Sequence, residues 1–340
     1  MCFSKDIWQY IRKDDFMTEE KNVDLYLSPN QIYCGDSSIL LQQIEPNSIS
    51  LSVWSPPYHV GKEYEADQSY EEWTELLKEV IKHHFKILKP GAFLVINIDD
   101  ILAFPDVNMP RIQAPNTSKL RSPVTKEQIL EVLKQNPGLN RYQLAEIFNC
   151  SEQTIDRRLN GNNIRGGKYS VQTRVKLVGG IIESFAYEAG LYLYDRRIWV
   201  KDPAWANSQW HSNSYRSVSE FEYLYFFWKP GETVIDRNRL TKEEWSTWGS
   251  RGVWYIPSVR KNDDHVAKFP LELPKRLIRL LTSENDIVLD CFVGSGTTAV
   301  AAIETNRKYI GIDKEPKYVE LSKKNIQLAL LQQSQQQMEF

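Results

Sequence analysis

Short hydrophobic runs and one amphipathic helix pattern characterise the first hundred residues. The runs QIYC (31–34), ISLSVW (49–54) and FLVINI (93–98) are rich in β-branched and apolar residues, as in buried strands. Between the last two, Tyr70 to Leu88 has helical spacing and stops at Lys89-Pro90-Gly91, where proline and glycine cannot continue a helix. The pattern predicts two parallel strands joined by a helix.

The same alternation returns near the C-terminus. Strands are predicted at Ile287–Asp290 and Tyr309–Ile312, with a helix at Thr297–Thr305 between them. Strands that alternate with helices predict an α/β fold with a doubly wound, mostly parallel, Rossmann-like sheet. Residues 101–123, rich in Pro, Asn and Ser, are typical of a linker, and residues 181–228 have a strand-like, aromatic character.

Residues 124–160 have helical spacing in three short pieces. The pieces are Lys126–Lys134, Arg141–Phe148 and Glu152–Asn160, with Ser151 placed to cap the third and Asn149 to turn the chain before it. Their shared apolar core is predicted to contain Leu144, Ala145, Phe148, Ile155 and Leu159. This arrangement resembles a helix-turn-helix, whose last helix enters the major groove of DNA.

Candidate DNA contacts follow from that resemblance. The third helix would expose Gln153, Thr154, Arg157 and Arg158. After it, Arg165–Lys176 has the Gly-Gly turn and basic alternation of a β-hairpin wing, in which Lys168 and Arg174 would hold phosphates.

The local charge supports this interpretation. Residues 117–176 hold eleven Lys and Arg against five Asp and Glu, a net charge of +6, whereas the rest of the chain sums to −8. A basic island on an acidic body indicates a polyanion partner. A three-helix packing module without DNA contact is the alternative.

Composition excludes several other classes. No apolar run approaches the roughly 18 residues that would span a bilayer, and Met1 to Glu20 lacks the apolar core of a signal peptide, so a cytoplasmic location is expected. The four cysteines lie far apart without a CxxC pair, which predicts neither a zinc site nor a disulfide framework. We therefore expect no metal.

A glycine loop stands between the strand and the helix of the C-terminal unit. Gly294 and Gly296 sit where the chain must turn sharply and let a ligand approach the backbone, and Thr297 opens the helix. Asp290 ends the preceding strand and Asp313 the following one, where a carboxylate can accept hydrogen bonds from ribose hydroxyls. The loop by itself does not distinguish this ligand from a nicotinamide cofactor, which remains an alternative. A Walker-type phosphate loop is excluded because no GxxxxGK[ST] motif occurs.

The tetrapeptide Ser55-Pro56-Pro57-Tyr58 directly follows the second predicted strand. It therefore lies at a strand's carboxyl end, where open α/β sheets bind ligands. The prolines stiffen the backbone and leave carbonyls to accept bonds from an amino group, with Ser55 beside it and Tyr58 stacked on its ring. An exocyclic amine needs such help because its lone pair is delocalised into the ring. A rigid turn without chemistry is the alternative.

Together the two motifs resemble the DNA amino-methyltransferases in their permuted order, in which (S/D/N)PP(Y/F) comes first and FxGxG last. This chain has SPPY at 55–58 and FVGSG at 292–296. Further matches are Gly35-Asp36, LKPGAFLVINI at 88–98, SEFEYLYFFWKPG at 219–231 and HVAKFPLELP at 265–274. The resemblance covers most of the chain apart from about 101–180.

The resemblance implies S-adenosylmethionine as the methyl donor, duplex DNA as the substrate, base flipping, and a catalytic role for Ser55, Pro56, Pro57 and Tyr58. The implied donor contacts are Asp290, Phe292, Gly294, Gly296 and Thr297 at the methionine, Asp313 at the ribose, Asp36 near the adenine, and Lys268, Phe269 and Pro270 in the last cofactor motif. Val266 departs from the family, which usually has proline there.

The first residue of the tetrapeptide bears on the target base. Serine there resembles the N4-cytosine methyltransferases of restriction-modification systems, whereas Asp or Asn goes mostly with N6-adenine. We expect N4-cytosine, with N6-adenine as the alternative and a separately acting restriction endonuclease as a candidate partner. A carbon-5 cytosine enzyme is disfavoured because no Pro-Cys occurs. The rival of another class is a transcription regulator with a methyltransferase-like body, but a sensor needs no intact SPPY.

Six segments follow from these assignments. They are a first catalytic half (1–116), a winged helix-turn-helix insertion (117–178), the remaining catalytic strands (179–231), a short target-recognition segment (232–264), a cofactor-binding half (265–328) and a flexible tail (329–340). The recognition segment is short for reading a DNA site alone. We therefore expect the insertion to select the methylation target rather than an operator.

Overall fold

The computed structural model describes residues 26–58, 69–110, 123–159, 172–203, 216–259 and 270–338. The chain divides into two compact units. Unit 1 contains residues 1–99, 178–207 and 217–340, and unit 2 contains residues 100–177 and 208–216.

The regular elements of the described ranges alternate along the chain. The strands are β1 (Gln31–Cys34), β2 (Ile49–Trp54), β3 (Leu88–Ile98), β4 (Ile101–Asp106), β5 (Gln172–Lys176), β6 (Tyr192–Val200), β7 (Phe221–Trp228), β8 (Val253–Tyr255), β9 (Ile287–Asp290) and β10 (Lys308–Asp313). The helices are α1 (Ser37–Leu40), α2 (Tyr70–Ile87), α3 (Lys126–Gln135), α4 (Arg141–Ile147), α5 (Glu152–Leu159), α6 (Gly179–Glu188), α7 (Lys242–Glu244), α8 (Glu272–Leu281), α9 (Thr297–Glu304) and α10 (Pro316–Met338).

Unit 1 is built on an eight-stranded sheet in the order β1-β10-β9-β2-β3-β7-β6-β8. The first five strands in this order, β1, β10, β9, β2 and β3, run parallel to one another. Strand β7 runs antiparallel to both of its neighbours, β3 and β6. The units β2-α2-β3 and β9-α9-β10 leave the centre of the sheet in opposite directions. Because such crossovers are right-handed, α2 and α9 cover opposite faces. The predicted doubly wound, mostly parallel α/β fold is confirmed.

Local sequence explains why these elements form. All six residues of β2 are buried, as expected for a central strand covered on both faces. Helix α2 begins at a capping box, in which Ser69 accepts a hydrogen bond from the backbone of Glu72 and the Glu72 carboxylate accepts one from the backbone of Ser69. Its apolar side buries Trp73, Leu77 and Val80, among others. These contacts hold β2 and the tetrapeptide after it in place.

Unit 2 contains the three predicted short helices and a two-stranded ribbon. Leu144, Ala145 and Ile155 are buried together, and Phe148 and Leu159 pack on them, as predicted. Ile129 of α3 also belongs to this core, although it was not predicted. Asn149 has a φ of 45°, and Ser151 accepts a hydrogen bond from the backbone of Thr154, so both turn predictions are confirmed. Strand β5 pairs antiparallel with β4, and the Gly166-Gly167 turn of the predicted wing lies outside the described residues.

Other segments differ from the predictions. The first residues of the predicted linker 101–123 form β4. Part of the stretch 181–228, which was predicted to be strand-like, belongs to helix α6. Its buried side chains, Ile182 and Ala186, are four residues apart and therefore lie on one face of a helix. Helix α10 continues to Met338, so that part of the predicted tail is helical. None of the helices in the described ranges is long and apolar enough to cross a membrane.

The segment predicted for target recognition, 232–264, contributes to unit 1 as far as it is described. Strand β8 joins the edge of the sheet beside β6. Trp248 and Trp254 are buried in the same core as Phe226 of β7. Much of this segment is therefore structural.

Candidate active site

The two motif loops lie next to each other at the centre of the sheet. Strands β2 and β9 are adjacent and parallel, with Ser52 opposite Leu289. The tetrapeptide follows β2 and the glycine loop follows β9, so both leave carboxyl ends at the point where the strand order reverses. The rings of Trp54 and Phe292 meet edge to face, with centroids 5.3 Å apart. In open α/β sheets, this reversal point is where ligands bind.

Asp290 organises the start of the glycine loop. Its carboxylate accepts a hydrogen bond from the backbone N–H of Phe292 at 3.0 Å and one from the Thr298 hydroxyl at 2.5 Å. The residue is buried, and burial raises the pKa of its carboxyl group to about 7. Asp290, predicted to line the methionine, thus holds the loop to the first turn of α9.

The rest of the glycine loop is fixed from two sides. The Asp313 carboxylate accepts a hydrogen bond from the backbone N–H of Gly294 at 2.9 Å. From α10, the Ser322 hydroxyl donates to the Gly294 carbonyl at 2.6 Å, and the Asn325 amide donates to the Ser295 carbonyl at 2.8 Å. Sequence reasoning missed these two α10 residues. The signal was a pair of polar residues, three apart, on a helix that otherwise buries apolar side chains.

Gly296 requires a glycine for two reasons. Its φ of 85° is a left-handed conformation, and a side chain would begin 3.1 Å from the backbone of Ser322. Thr297 follows as the first residue of α9, its hydroxyl 3.2 Å from that of Ser295.

Two further carboxylates lie at the same edge of the sheet. Cys34 at the end of β1 is the register partner of Asp313, and Asp36 follows two residues later. Asp36 caps α1 by accepting hydrogen bonds from the Ser38 backbone at 2.8 Å and hydroxyl at 2.6 Å. Burial raises the pKa of Asp313 above its ordinary value. Each carboxylate oxygen can accept a second hydrogen bond, so both residues can still receive one from a ligand.

The tetrapeptide is held by two side chains from other elements and by one hydrogen bond of its own. The indole N–H of Trp73 in α2 donates to the Pro57 carbonyl at 2.6 Å. This carbonyl, expected to face the substrate amine, is thus used within the fold. The Ser55 hydroxyl donates to the Tyr58 hydroxyl at 2.9 Å, and the latter donates to the Glu222 carboxylate at 2.7 Å.

Glu222 is a site residue that the sequence analysis missed. It is 7% exposed and forms an ion pair with Lys201, just beyond the end of β6. The signal was present in the alternation of β7, because Glu222 shares a face with the buried Leu224 and Phe226. A carboxylate on a buried strand face is costly unless it is paired.

A buried histidine supports the strand that carries the tetrapeptide. His84 of α2 donates from Nδ1 to the Val80 carbonyl at 2.7 Å, so its Nε2 is left as an acceptor. Nε2 lies 2.8 Å from the Ser52 hydroxyl and 3.3 Å from the indole nitrogen of Trp54. Burial lowers the pKa of His84 to about 4, which keeps the ring neutral. It fixes Trp54 directly before Ser55.

The remaining predicted residues have varied placements. Gln153, Arg157 and Arg158 are exposed on α5, and Thr154 is half-buried. Arg174, predicted to hold phosphate, binds Asp106 at 2.5 Å across the ribbon and lies over the Phe104 ring. Pro270 is half-buried just before α8. Lys168, Lys268 and Phe269 lie outside the described residues. Among the described side chains, no group of three or more His, Cys, Asp or Glu is placed to hold a metal ion.

The raised pKa of Asp290 predicts a pH effect on stability. Between about pH 4 and 7 the unfolded carboxyl is ionised while the folded one keeps its proton, so stability falls as pH rises, by roughly 1.4 kcal/mol per unit. In Asp290→Asn, the amide keeps the bonds to Phe292 and Thr298 without titrating. Urea unfolding at pH 5 and 7 should show the wild type losing about 2 to 3 kcal/mol relative to the variant. If the unfolding free energies of the wild type and the variant changed equally with pH, the raised pKa of Asp290 would be contradicted.

Comparison with known proteins gives consistent matches. A family model, N6_N4_Mtase, described as DNA methylase, matches residues 49–324. The type II methyltransferase M.BglI of Bacillus subtilis is 70% identical over 302 residues, which cover 89% of this chain and 87% of that protein.

Two solved structures share the fold. A DNA modification methylase from Thermus thermophilus, solved in complex with S-adenosyl-L-methionine, has a TM-score of 0.56 at 24% identity and covers 88% of this chain and 93% of its own. The cytosine-N4-specific PvuII DNA methyltransferase has a TM-score of 0.52 at 20% identity and covers 87% of this chain and 86% of its own.

Proposed function

Because the chain belongs to the N6_N4_Mtase family of DNA methylases, we propose that it is a type II methyltransferase that moves a methyl group from S-adenosylmethionine to the N4 amine of cytosine in duplex DNA. One observation carries the proposal: the SPPY and glycine loops leave adjacent parallel strands where the strand order reverses. A restriction endonuclease that cuts the same site is the proposed separate partner.

The glycine loop fits the methyl donor. Gly296 lets the backbone turn where any side chain would meet Ser322. At the same edge, Asp313 offers oxygens for the ribose and Asp36 for the adenine. Negative charge there also suits a positively charged sulfonium. When bound, S-adenosylmethionine supplies an activated methyl group.

The tetrapeptide would position the amine. Ser55 and the Pro56 carbonyl are the proposed acceptors of its N–H groups, which would aim the nitrogen lone pair at the methyl group. Tyr58 would stack on the base, which must leave the duplex because its amine cannot otherwise reach the donor. Ser55 in the first position favours cytosine, and N6 of adenine is the second candidate.

Labelled donor tests the enzyme class. Unmethylated plasmid DNA incubated with the protein and tritiated S-adenosylmethionine should acquire label that stays with the DNA after proteolysis. The control is DNA that this protein has already methylated with unlabelled donor, which should take up little. Absence of label under conditions where calorimetry detects donor binding would favour the regulator alternative.

Unit 2 is the proposed reader of the target site. Trp248 and Trp254 tie much of the 232–264 segment into the core, which leaves less of it to contact DNA. Helix α5 exposes Arg157 and Arg158, and arginine can bind guanine through two hydrogen bonds. The ion pair of Arg174 with Asp106 makes α5 a better candidate than the ribbon for base contacts.

Replacing Arg157 with alanine is expected to weaken or relax methylation at the target, by about 1 to 3 kcal/mol if one bidentate guanine contact is lost. Lys134→Ala is the matched control, since it removes one positive charge from α3, where the side chain is 75% exposed. Sequencing of methylated sites and donor affinity are the readouts. Unchanged site selection in Arg157→Ala would point to an operator or to a packing module instead.

A further inference from the structure

We propose that Glu222 is a positioning residue for methyl transfer: it fixes the Tyr58 hydroxyl and takes up, along the chain Ser55-Tyr58-Glu222, the proton that the amine releases. The inference rests on the proposed function. It assigns a task to a buried charge that a packed core would not otherwise need.

The geometry forms a continuous hydrogen-bonded path. The Ser55 and Tyr58 hydroxyls are 2.9 Å apart, and the Tyr58 hydroxyl is 2.7 Å from Glu222 Oε2. The other carboxylate oxygen, Oε1, receives the Lys201 ammonium group. The Glu222 and Lys201 side chains are only 10% and 15% exposed. Burying such a pair is expensive, so its place behind the tetrapeptide indicates use.

The path also has a direction. An ionised carboxylate can only accept hydrogen bonds, so Tyr58 must donate its proton to Glu222. The Tyr58 oxygen then accepts from Ser55, and the Ser55 oxygen is left as an acceptor for the amine. Burial, then the negative charge of Glu222, raise the pKa of Tyr58 well above its ordinary value, which keeps it a donor. The ion pair with Lys201 holds the Glu222 carboxylate in place to accept from Tyr58.

Methyl transfer is accompanied by three proton transfers along this path. The amine nitrogen forms its bond to the methyl carbon, and the carbon–sulfur bond breaks with its electron pair going to sulfur. The N–H proton passes to Ser55 Oγ, the Ser55 proton to the Tyr58 oxygen, and the Tyr58 proton to Glu222. The products are a neutral methylated base and a neutral Glu222 carboxyl group, which releases its proton to solvent before the next turnover.

The first test removes the charge and keeps the shape. Glu222→Gln can still accept from Tyr58 but takes up a proton poorly, so we expect kcat to fall about 10- to 100-fold while KM for DNA and donor stays within about twofold. Glu220→Gln, the same change at an exposed residue of the segment leading into β7, should leave both unchanged. A kcat for Glu222→Gln within twofold of wild type would overturn the proposal.

The second test asks whether Glu222 acts through Tyr58. In Tyr58→Phe the ring remains but the path is cut, so adding Glu222→Gln should lower kcat by less than about twofold further. A full second loss in the double variant would overturn the proposal.

The third readout needs neither donor nor DNA. With 3-fluorotyrosine at position 58, Glu222→Gln should shift the ¹⁹F resonance and Glu220→Gln should not. An unshifted resonance would overturn the contact. If the wild type transfers no methyl group to DNA while the ¹⁹F shift is observed, the proposed function fails and the Tyr58 contact stands.

Discussion

Tyr58→Ala is expected to lower kcat for methyl transfer roughly 100-fold or more, with donor affinity within about twofold of wild type. The substitution removes a ring proposed to stack on the flipped base, worth about 1 to 3 kcal/mol per base in comparable contacts. It also removes the hydroxyl that joins Ser55 to Glu222. Single-turnover kinetics measures the rate of methyl transfer, and calorimetry measures donor affinity. The matched control is Tyr187→Ala on α6, where the tyrosine is 65% exposed and outside the site.

Base flipping gives this prediction a second readout. A duplex with 2-aminopurine at the target position should become brighter on binding wild-type protein, because the base leaves the stack. The rise should be weaker for Tyr58→Ala. Full turnover and an equal fluorescence change in the variant would show that Tyr58 does not hold the base.

The second large effect is expected at the glycine loop. Gly296→Val should weaken S-adenosylmethionine binding at least about 100-fold, because valine at a φ of 85° is strained and its first carbon would lie 3.1 Å from the Ser322 backbone. The loop must then move away from the position set by Asp313 and Ser322. Gly252→Val is the control, since a side chain there would meet nothing within 4 Å.

Asp313→Ala tests the same site without added volume. It removes the acceptor for the Gly294 N–H and the proposed ribose contact, so donor affinity should fall about 10-fold. Calorimetry on both variants, after thermal melts show that they are folded, is the measurement. If both single variants bound S-adenosylmethionine with wild-type affinity, the donor would have to bind elsewhere.

The sequence predicts well where one local pattern decides the structure. The apolar run of β2, the helical spacing of α2 and the glycine loop after β9 each satisfy local rules, and each forms as predicted. The adjacency of the two loops was not predicted, because it depends on the pairing of β2 with β9, which lie far apart in the sequence.

The missed features depend on contacts between distant segments. Strand β5 finds its partner in β4, which precedes the three helices rather than following a local turn. Helix α6 has apolar residues in a run that also suits a strand, and tertiary packing decides between them. Tyr58 is 164 residues from Glu222, so their hydrogen bond could not be predicted from either segment. The inward position of a charged residue on β7 was the only local signal.

Identification of the modified nucleoside shows whether the protein methylates the N4 amine of cytosine. Plasmid DNA from a host without methyltransferases is treated with the protein and trideuteromethyl-labelled donor, digested to nucleosides, and analysed by liquid chromatography and mass spectrometry. Chromatography must separate N4-methyl from 5-methylcytosine, since their masses are equal. We expect labelled N4-methyldeoxycytidine. Labelled N6-methyldeoxyadenosine with no methylated cytosine would contradict the assignment of cytosine N4 as the target.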